Sequence, residues 1–261
     1  MTKRWMLIVA ALGAVVFGEL PGRGVASAQT TGGAGYLARG LTLSAGQWRI
    51  DAAPPDWGYM EHGEVNRGRG FRLVEPPVGD TRVYLGAGGA YGITNQLELG
   101  GLVLPLRLAP DGDLGDLEAY LRYAFTPGGS LAAQVTVRIP TDSDLAVGIG
   151  LPAFVALGGG GRLETGVELE LIDRNDTTVN IDVPLAFQFA VTSSLYAGPR
   201  TGVVLLDLDE AVINLGGQIG GAVSPQVELS ASVNLPNFLQ TYGDTVNLDW
   251  VEIIFGATFL L

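Results

Sequence analysis

The stretch "RLETGVELELI" (162–172) places Leu163, Thr165, Val167, Leu169 and Leu171 on one side and Arg162, Glu164, Gly166, Glu168 and Glu170 on the other. That is a period of two, the signature of a β-strand with one apolar and one charged face. The same alternation recurs in "VELSASVNL" (227–235), "LAAQVTVRI" (131–139) and "LEAYLRYAF" (117–125). It fills about twelve segments: 41–52, 81–92, 95–107, 116–126, 130–140, 144–157, 161–172, 177–191, 194–206, 211–223, 226–236 and 246–261. Alternation alone also suits a soluble sandwich, whose strands run about 5–6 residues. Segments near ten residues match the roughly 9–11 that a tilted strand needs to cross a bilayer.

Composition agrees with that choice. The chain is 47% hydrophobic, with 15 basic and 27 acidic residues and no cysteine. Beyond the first residues no apolar run of the ~18 a spanning helix needs is present, so the apolar content is spread in short pieces. Residues 1–28 have Lys3 and Arg4, an apolar run and Ala26-Ser27-Ala28, the pattern of a cleaved secretory signal peptide. Removing it takes away Lys3, Arg4, Arg23 and Glu19 and leaves 12 basic and 26 acidic residues, with every remaining cation an arginine. Such acidity argues against nucleic acid as a partner.

Connections fall into two classes. Tight, uncharged ones occur at Thr94-Asn95, Pro127–Gly129, Gly158–Gly160, Thr192–Ser194 and Ser224-Pro225. Longer, acidic ones are 53–80, 110–116, 141–144, 173–177, 207–210 and 240–245. Short periplasmic turns and longer outer loops mark outer-membrane barrels. The fold expected is therefore all-β, a transmembrane antiparallel up-and-down barrel of about twelve strands over 41–261. A flexible periplasmic segment is expected over 29–40, and both termini on the periplasmic side. Such a barrel is roughly 24 Å across between backbones, with about 10 Å left between side chains.

If the apolar faces meet lipid, the polar faces line the lumen. Parity then nominates Arg82, Tyr84, Glu98, Glu118, Tyr120, Arg122, Arg138, Arg162, Glu164, Glu168, Glu170, Asp182, Arg200 and Glu228 as lumen residues. Mixed arginines and carboxylates can pair into a rigid network or line a narrow polar path. The loop over 53–80 exceeds a plain connection. Its Trp57, Tyr59, Arg67, Arg69, Phe71 and Arg72 are candidates for a constriction, a surface flap being the other reading.

The last strand, "VEIIFGATFLL" (251–261), ends without a polar tail. "GATFLL" resembles the C-terminal signal by which bacterial outer-membrane barrels are recognised by the barrel-assembly machinery, with Leu261 in place of the usual Phe and Ile254 where a polar residue is usual. Together with "GQWRID" (46–51) and "AYGITNQLELGG" (90–101) it resembles Gram-negative outer-membrane β-barrel proteins, the transporter-like barrels associated with phenol degradation. The resemblance implies passage of small molecules and assigns no functional residue.

Other chemistries have thin support. Barrel hydrolases use a Ser/His pair, and the single histidine, His62, sits in the first loop without a fixed neighbour. No enzyme activity, catalytic residue or cofactor is expected. Asp111, Asp113 and Asp116 in "DGDLGD" lack a full calcium loop, so no resident metal is expected. The acidic loops suit divalent cations bridging to lipopolysaccharide phosphates. The function expected is a narrow, cation-leaning passive channel for small solutes. The alternative is a closed structural or surface-binding barrel whose loops engage lipopolysaccharide or a partner.

Overall fold

Backbone groups in hydrocarbon need partners within the protein, so spanning strands must close on themselves. The computed structural model describes residues 35–52, 70–75, 82–109, 112–114, 116–125, 129–141, 145–157, 160–173, 177–240 and 251–261. A one-turn helix, α1 (Gly35–Ala38), precedes the strands. The strands are β1 (Trp48–Ala52), β2 (Gly70–Glu75), β3 (Arg82–Gly92), β4 (Leu97–Ala109), β5 (Asp113–Leu114), β6 (Leu117–Ala124), β7 (Ala132–Ile139), β8 (Leu145–Leu157), β9 (Gly161–Asp173), β10 (Thr178–Ala190), β11 (Leu195–Leu206), β12 (Glu210–Ser224), β13 (Val227–Gln240) and β14 (Val251–Leu260). Among the described residues no helix is long and apolar enough to cross a membrane.

All pairings are antiparallel, and from β6 to β14 each strand lies beside the next in sequence. Strand β4 links β6 to β3, and the seam between β3 and β14 is filled by β1 and β2 together. Counting β1 and β2 as one position and setting aside the two-residue β5, the wall is a closed barrel of twelve strands, as the alternation predicts.

Burial runs opposite to that of a water-soluble domain. Leu121, Val135, Ile149, Leu169, Phe189, Ile219 and Val233 are exposed on the outside, while Arg122, Gln134, Thr136, Arg162, Glu168, Gln188 and Asn214 are buried inside. Aromatic residues ring the tight-turn end of the outer face: Trp48 packs on Tyr91, Tyr123 on Phe125, and Phe187 on Phe189. The tight turns themselves use threonine. Thr94 Oγ1 accepts hydrogen bonds from the backbone N–H of Gln96 and Leu97, and Thr192 Oγ1 does the same for Ser194 and Leu195. Such side chains replace missing backbone partners in turns.

Two expectations need correction. Residues 41–47 do not extend the first strand, which starts at Trp48. Residues 70–75, read as loop, are strand β2 in the wall. Phe71 pairs with Phe255 and Leu85, and Arg72 with Ile254 and Tyr84.

The register at the seam explains how β2 escapes a sequence reading. Ala52 pairs with Ala257 of β14, and Phe71 with Phe255. Only one residue fits between them, and Gly70 fills that position, opposite Gly86 of β3. Residues 53–69 are thus an insertion into a single wall strand whose register is the same on both sides of it. Deleting 53–69 and joining Ala52 to Gly70 should leave a barrel that still migrates faster unheated than boiled on gel electrophoresis. Deleting 54–69 instead leaves one residue over, reverses the inward and outward faces of one half of the strand, and should abolish that folded band. An unfolded 53–69 deletion would show that the insertion is needed for the wall.

Candidate functional site: a charged lumen crossed by the N-terminal segment

Strand parity puts the polar residues in the lumen, and their burial follows from what fills it. Glu98, Tyr120, Arg122, Arg138, Arg162, Glu164, Glu168 and Glu228, all expected there, are buried on the inner face. Glu118, Glu170, Asp182 and Arg200 are half-buried. Arg82 and Tyr84 lie on β3 opposite Val74 and Arg107. Of the constriction candidates, Trp57, Tyr59, Arg67 and Arg69 lie outside the described residues, as does His62, and Phe71 and Arg72 belong to β2.

The segment 35–47 crosses the lumen at the tight-turn end. From Gly35 onward it is fixed there, where a flexible periplasmic segment was expected. At one side the Tyr36 ring stacks on Tyr196 at 4.8 Å between centroids, and its hydroxyl donates to Glu164 at 2.7 Å. Arg162 donates to the carbonyls of Tyr36 and Arg39 and lies against the Tyr36 and Phe154 rings. Arg39 then pairs with Glu228 at 3.0 Å, and Glu228 also accepts from the Tyr196 hydroxyl.

Further along, Leu41 packs on Ala124 and Ala132, with Phe154 against the group, and Arg122 donates to the Leu41 carbonyl at 2.8 Å. Leu43 packs on Ala90 and Tyr120, and its N–H donates to Glu98 Oε2 at 2.8 Å. The N–H of Ala45 donates to Asn95 Oδ1, and that of Gly46 to the Gly92 carbonyl. Gly46, at a φ of 82° that favours glycine, turns the chain from the lumen into β1.

The apolar residues of the segment thus pack on alanines and aromatic rings of the inner wall. Alternation at Leu41 and Leu43 mimics a strand, because period two reports an extended chain with two unlike sides and not which side meets lipid. The signals that separate it from a strand are the Ala45-Gly46 turn before Trp48 and the alanines at 90, 124 and 132 on the inner wall. Tyr196, Gln134 and Thr136 are also lumen residues that the nomination omitted. Gln134 accepts from Arg122 Nε and donates to Thr136, ordering the wall beneath Leu41.

A second network locks the seam. Arg49 Nε donates to Asp51 at 2.7 Å, and Thr258 donates to the same carboxylate from β14. The Tyr120 hydroxyl bridges Arg49 and Glu98 at 3.1 and 2.7 Å, while Arg49 and Arg122 each lie 3.7 Å from Glu98. At this level four guanidiniums, of Arg39, Arg49, Arg122 and Arg162, meet four carboxylates, of Asp51, Glu98, Glu164 and Glu228. Toward the other end Arg138 pairs with Glu170. In the acidic loops, Asp116 accepts from the Thr141 N–H at 2.9 Å and so pins one hairpin end to another; Asp111 lies outside the described residues. Among the described residues no group of histidine, aspartate or glutamate is placed to hold a metal ion.

An apolar outer belt, a closed antiparallel wall and a charged lumen define the fold of an outer-membrane β-barrel. Solved structures carry the same fold. An outer membrane channel from Pseudomonas putida F1 matches with a TM-score of 0.56 at 12% identity, over 85% of this chain and 98% of that one. The NanC porin matches with a TM-score of 0.51 at 11% identity, over 72% of this chain and 98% of its own. No family model matches the chain, and no curated protein matches it in sequence.

Glu98 joins the segment, the seam network and two guanidiniums. Removing one member of a buried charged set leaves the others uncompensated, at about 3–5 kcal/mol. Glu98→Ala should lower the stability of the folded barrel by that order in urea titrations read by loss of the fast-migrating form, whereas Glu98→Gln, which keeps one acceptor oxygen for either the Leu43 N–H or the Tyr120 hydroxyl, should lose less.

Proposed function

We propose that the chain forms a narrow passive channel for small solutes in the bacterial outer membrane, with both termini on the periplasmic side. The observation that carries this reading is the continuous polar inner face of a closed barrel, running from the acidic loops to the segment 35–47. That segment sets the narrow part of the path, at the tight-turn end. The fold shared with solved outer-membrane channels supports the same reading. The C-terminal strand is the part that would engage the barrel-assembly machinery, and the acidic loops the part that would meet lipopolysaccharide through divalent cations.

The path is cation-leaning. Where the segment crosses, guanidiniums and carboxylates balance. Beyond it, the described side chains include Glu118, Glu168, Glu170, Asp182 and Glu252 against Arg138 and Arg200. A wall of one excess sign raises the local concentration of the opposite ion. In planar bilayers the purified barrel should show small stepwise conductance with cations preferred over anions at low salt. The preference should weaken toward 1 M salt, as the screening length falls from about 10 Å to about 3 Å. Anion preference at low salt would refute the selectivity.

One observation favours a second reading. The segment 35–47 spans the lumen through a run of hydrogen bonds, which suits a barrel closed in the resting state that serves through its loops. Replacing residues 35–44 by a Gly-Ser stretch separates the two. A channel narrowed by the segment should conduct more after replacement and a little before it; a closed barrel should conduct only after it.

A further inference from the structure

Midway along the lumen, beyond the crossing segment, the wall sets carboxylates side by side. Register sets this up. Glu168 of β9 pairs directly with Asp182 of β10, and Glu170 pairs with Asn180. Like charges directly opposite each other in an antiparallel ladder repel. On the other side of β9, Glu168 and Glu170 pair with Gly150 and Gly148 of β8. Gly148 makes room. A Cβ on Gly148 would collide with Glu168 Oε1, and the same gap lets Arg138 of β7 reach over β8 to its ion pair with Glu170.

Glu168 is only 6% exposed, and it makes no hydrogen bond or ion pair with any described residue. A carboxylate this little exposed and without a counter-charge is costly to keep ionised, so a cation beside it is favoured. Its Oε1 leans over Gly148, beside the Glu170 that already takes a guanidinium from Arg138. The wall thus shows the binding mode once, with its own arginine, and offers a further carboxylate next to it. Inorganic ions fit less well, since among the described residues no carboxylate group is placed to hold a metal.

We propose that Glu168, flanked by Asp182 and Glu170, is a mid-lumen binding site for the ammonium or guanidinium group of an organic cation. The site rests on the reading of the lumen as a solute path and names the solute class that path favours. Charge-assisted hydrogen bonds to carboxylates are the attractive term, and relief of the Glu168–Asp182 repulsion adds to it.

The test is calorimetric titration of the full mature barrel in detergent, at low ionic strength, with 1,4-diaminobutane. Wild type should show saturable binding. Glu168→Gln, close in shape and free of the repulsion, should bind about tenfold more weakly. Asp182→Asn should also weaken binding, which keeps the proposal testable if one variant fails to fold. Asp209→Asn, in the exposed β11–β12 turn, should leave the affinity unchanged. Equal affinity in wild type, Glu168→Gln and Asp182→Asn, or no saturable binding in wild type, overturns the site. Calcium chloride titrated in parallel should give no saturable heat that depends on Glu168; if it does, the site is a metal site and the organic-cation assignment falls. Conductance is measured separately. A barrel that binds diaminobutane through Glu168 but passes no current keeps the site and loses the channel reading.

Discussion

Closure of the hydrogen-bonded ladder is the constraint on which the rest of the molecule depends. A strand in hydrocarbon cannot leave its N–H and C=O groups to water, so the wall has no free edge. Once closed, the wall has an inside that is not lipid. Every second residue is released from being apolar, and the chain uses that freedom for arginines and carboxylates. Those charges are then confined in a space about 10 Å wide, where each must find a partner, keep its water or bear the cost of doing neither.

The two ends of the lumen meet that requirement differently. Near the tight turns, the crossing segment removes water and supplies backbone partners. Arg122 and Arg162 are used on its carbonyls, Glu98 on an N–H and Glu164 on a hydroxyl. Toward the acidic loops no described segment of the chain crosses the lumen, and several charged residues are only half-buried. Opposite treatment of the same residue types goes with one difference among the described residues: whether a segment of the chain passes through.

Much of the wall was legible in the sequence because period two, strand length and the two classes of connection all report on one geometry. Strand β9 is expected over 161–172 and found over Gly161–Asp173, with Arg162, Glu164 and Glu168 inside and Leu169 and Leu171 outside. Two features were not legible. Leu41 and Leu43 alternate as a strand does, yet the surface they cover is Ala90, Tyr120, Ala124 and Ala132 of a wall assembled from distant residues. Strand β2 hid behind an insertion, because a strand split at mid-wall looks in sequence like a long loop. Phe71 and Arg72 show it only through their pairing with Leu85, Tyr84, Ile254 and Phe255. Cross-strand register depends on the whole barrel and is absent from any local window.

The turn at Ser44–Gln47 joins the crossing segment to β1, and β1 begins at the seam. Trp48 exchanges both backbone hydrogen bonds with Leu261, the last residue of the chain, at 3.0 and 2.9 Å. Segment and seam are therefore arranged in mechanical series. A pull on the chain ahead of Gly35 would be taken first by the side-chain ties at Tyr36, Arg39, Leu41 and Leu43, one after another. Only when these had yielded would the load reach the first bond pair of the β1–β14 seam. The many modest contacts of the segment act as a sequence of fuses ahead of the wall.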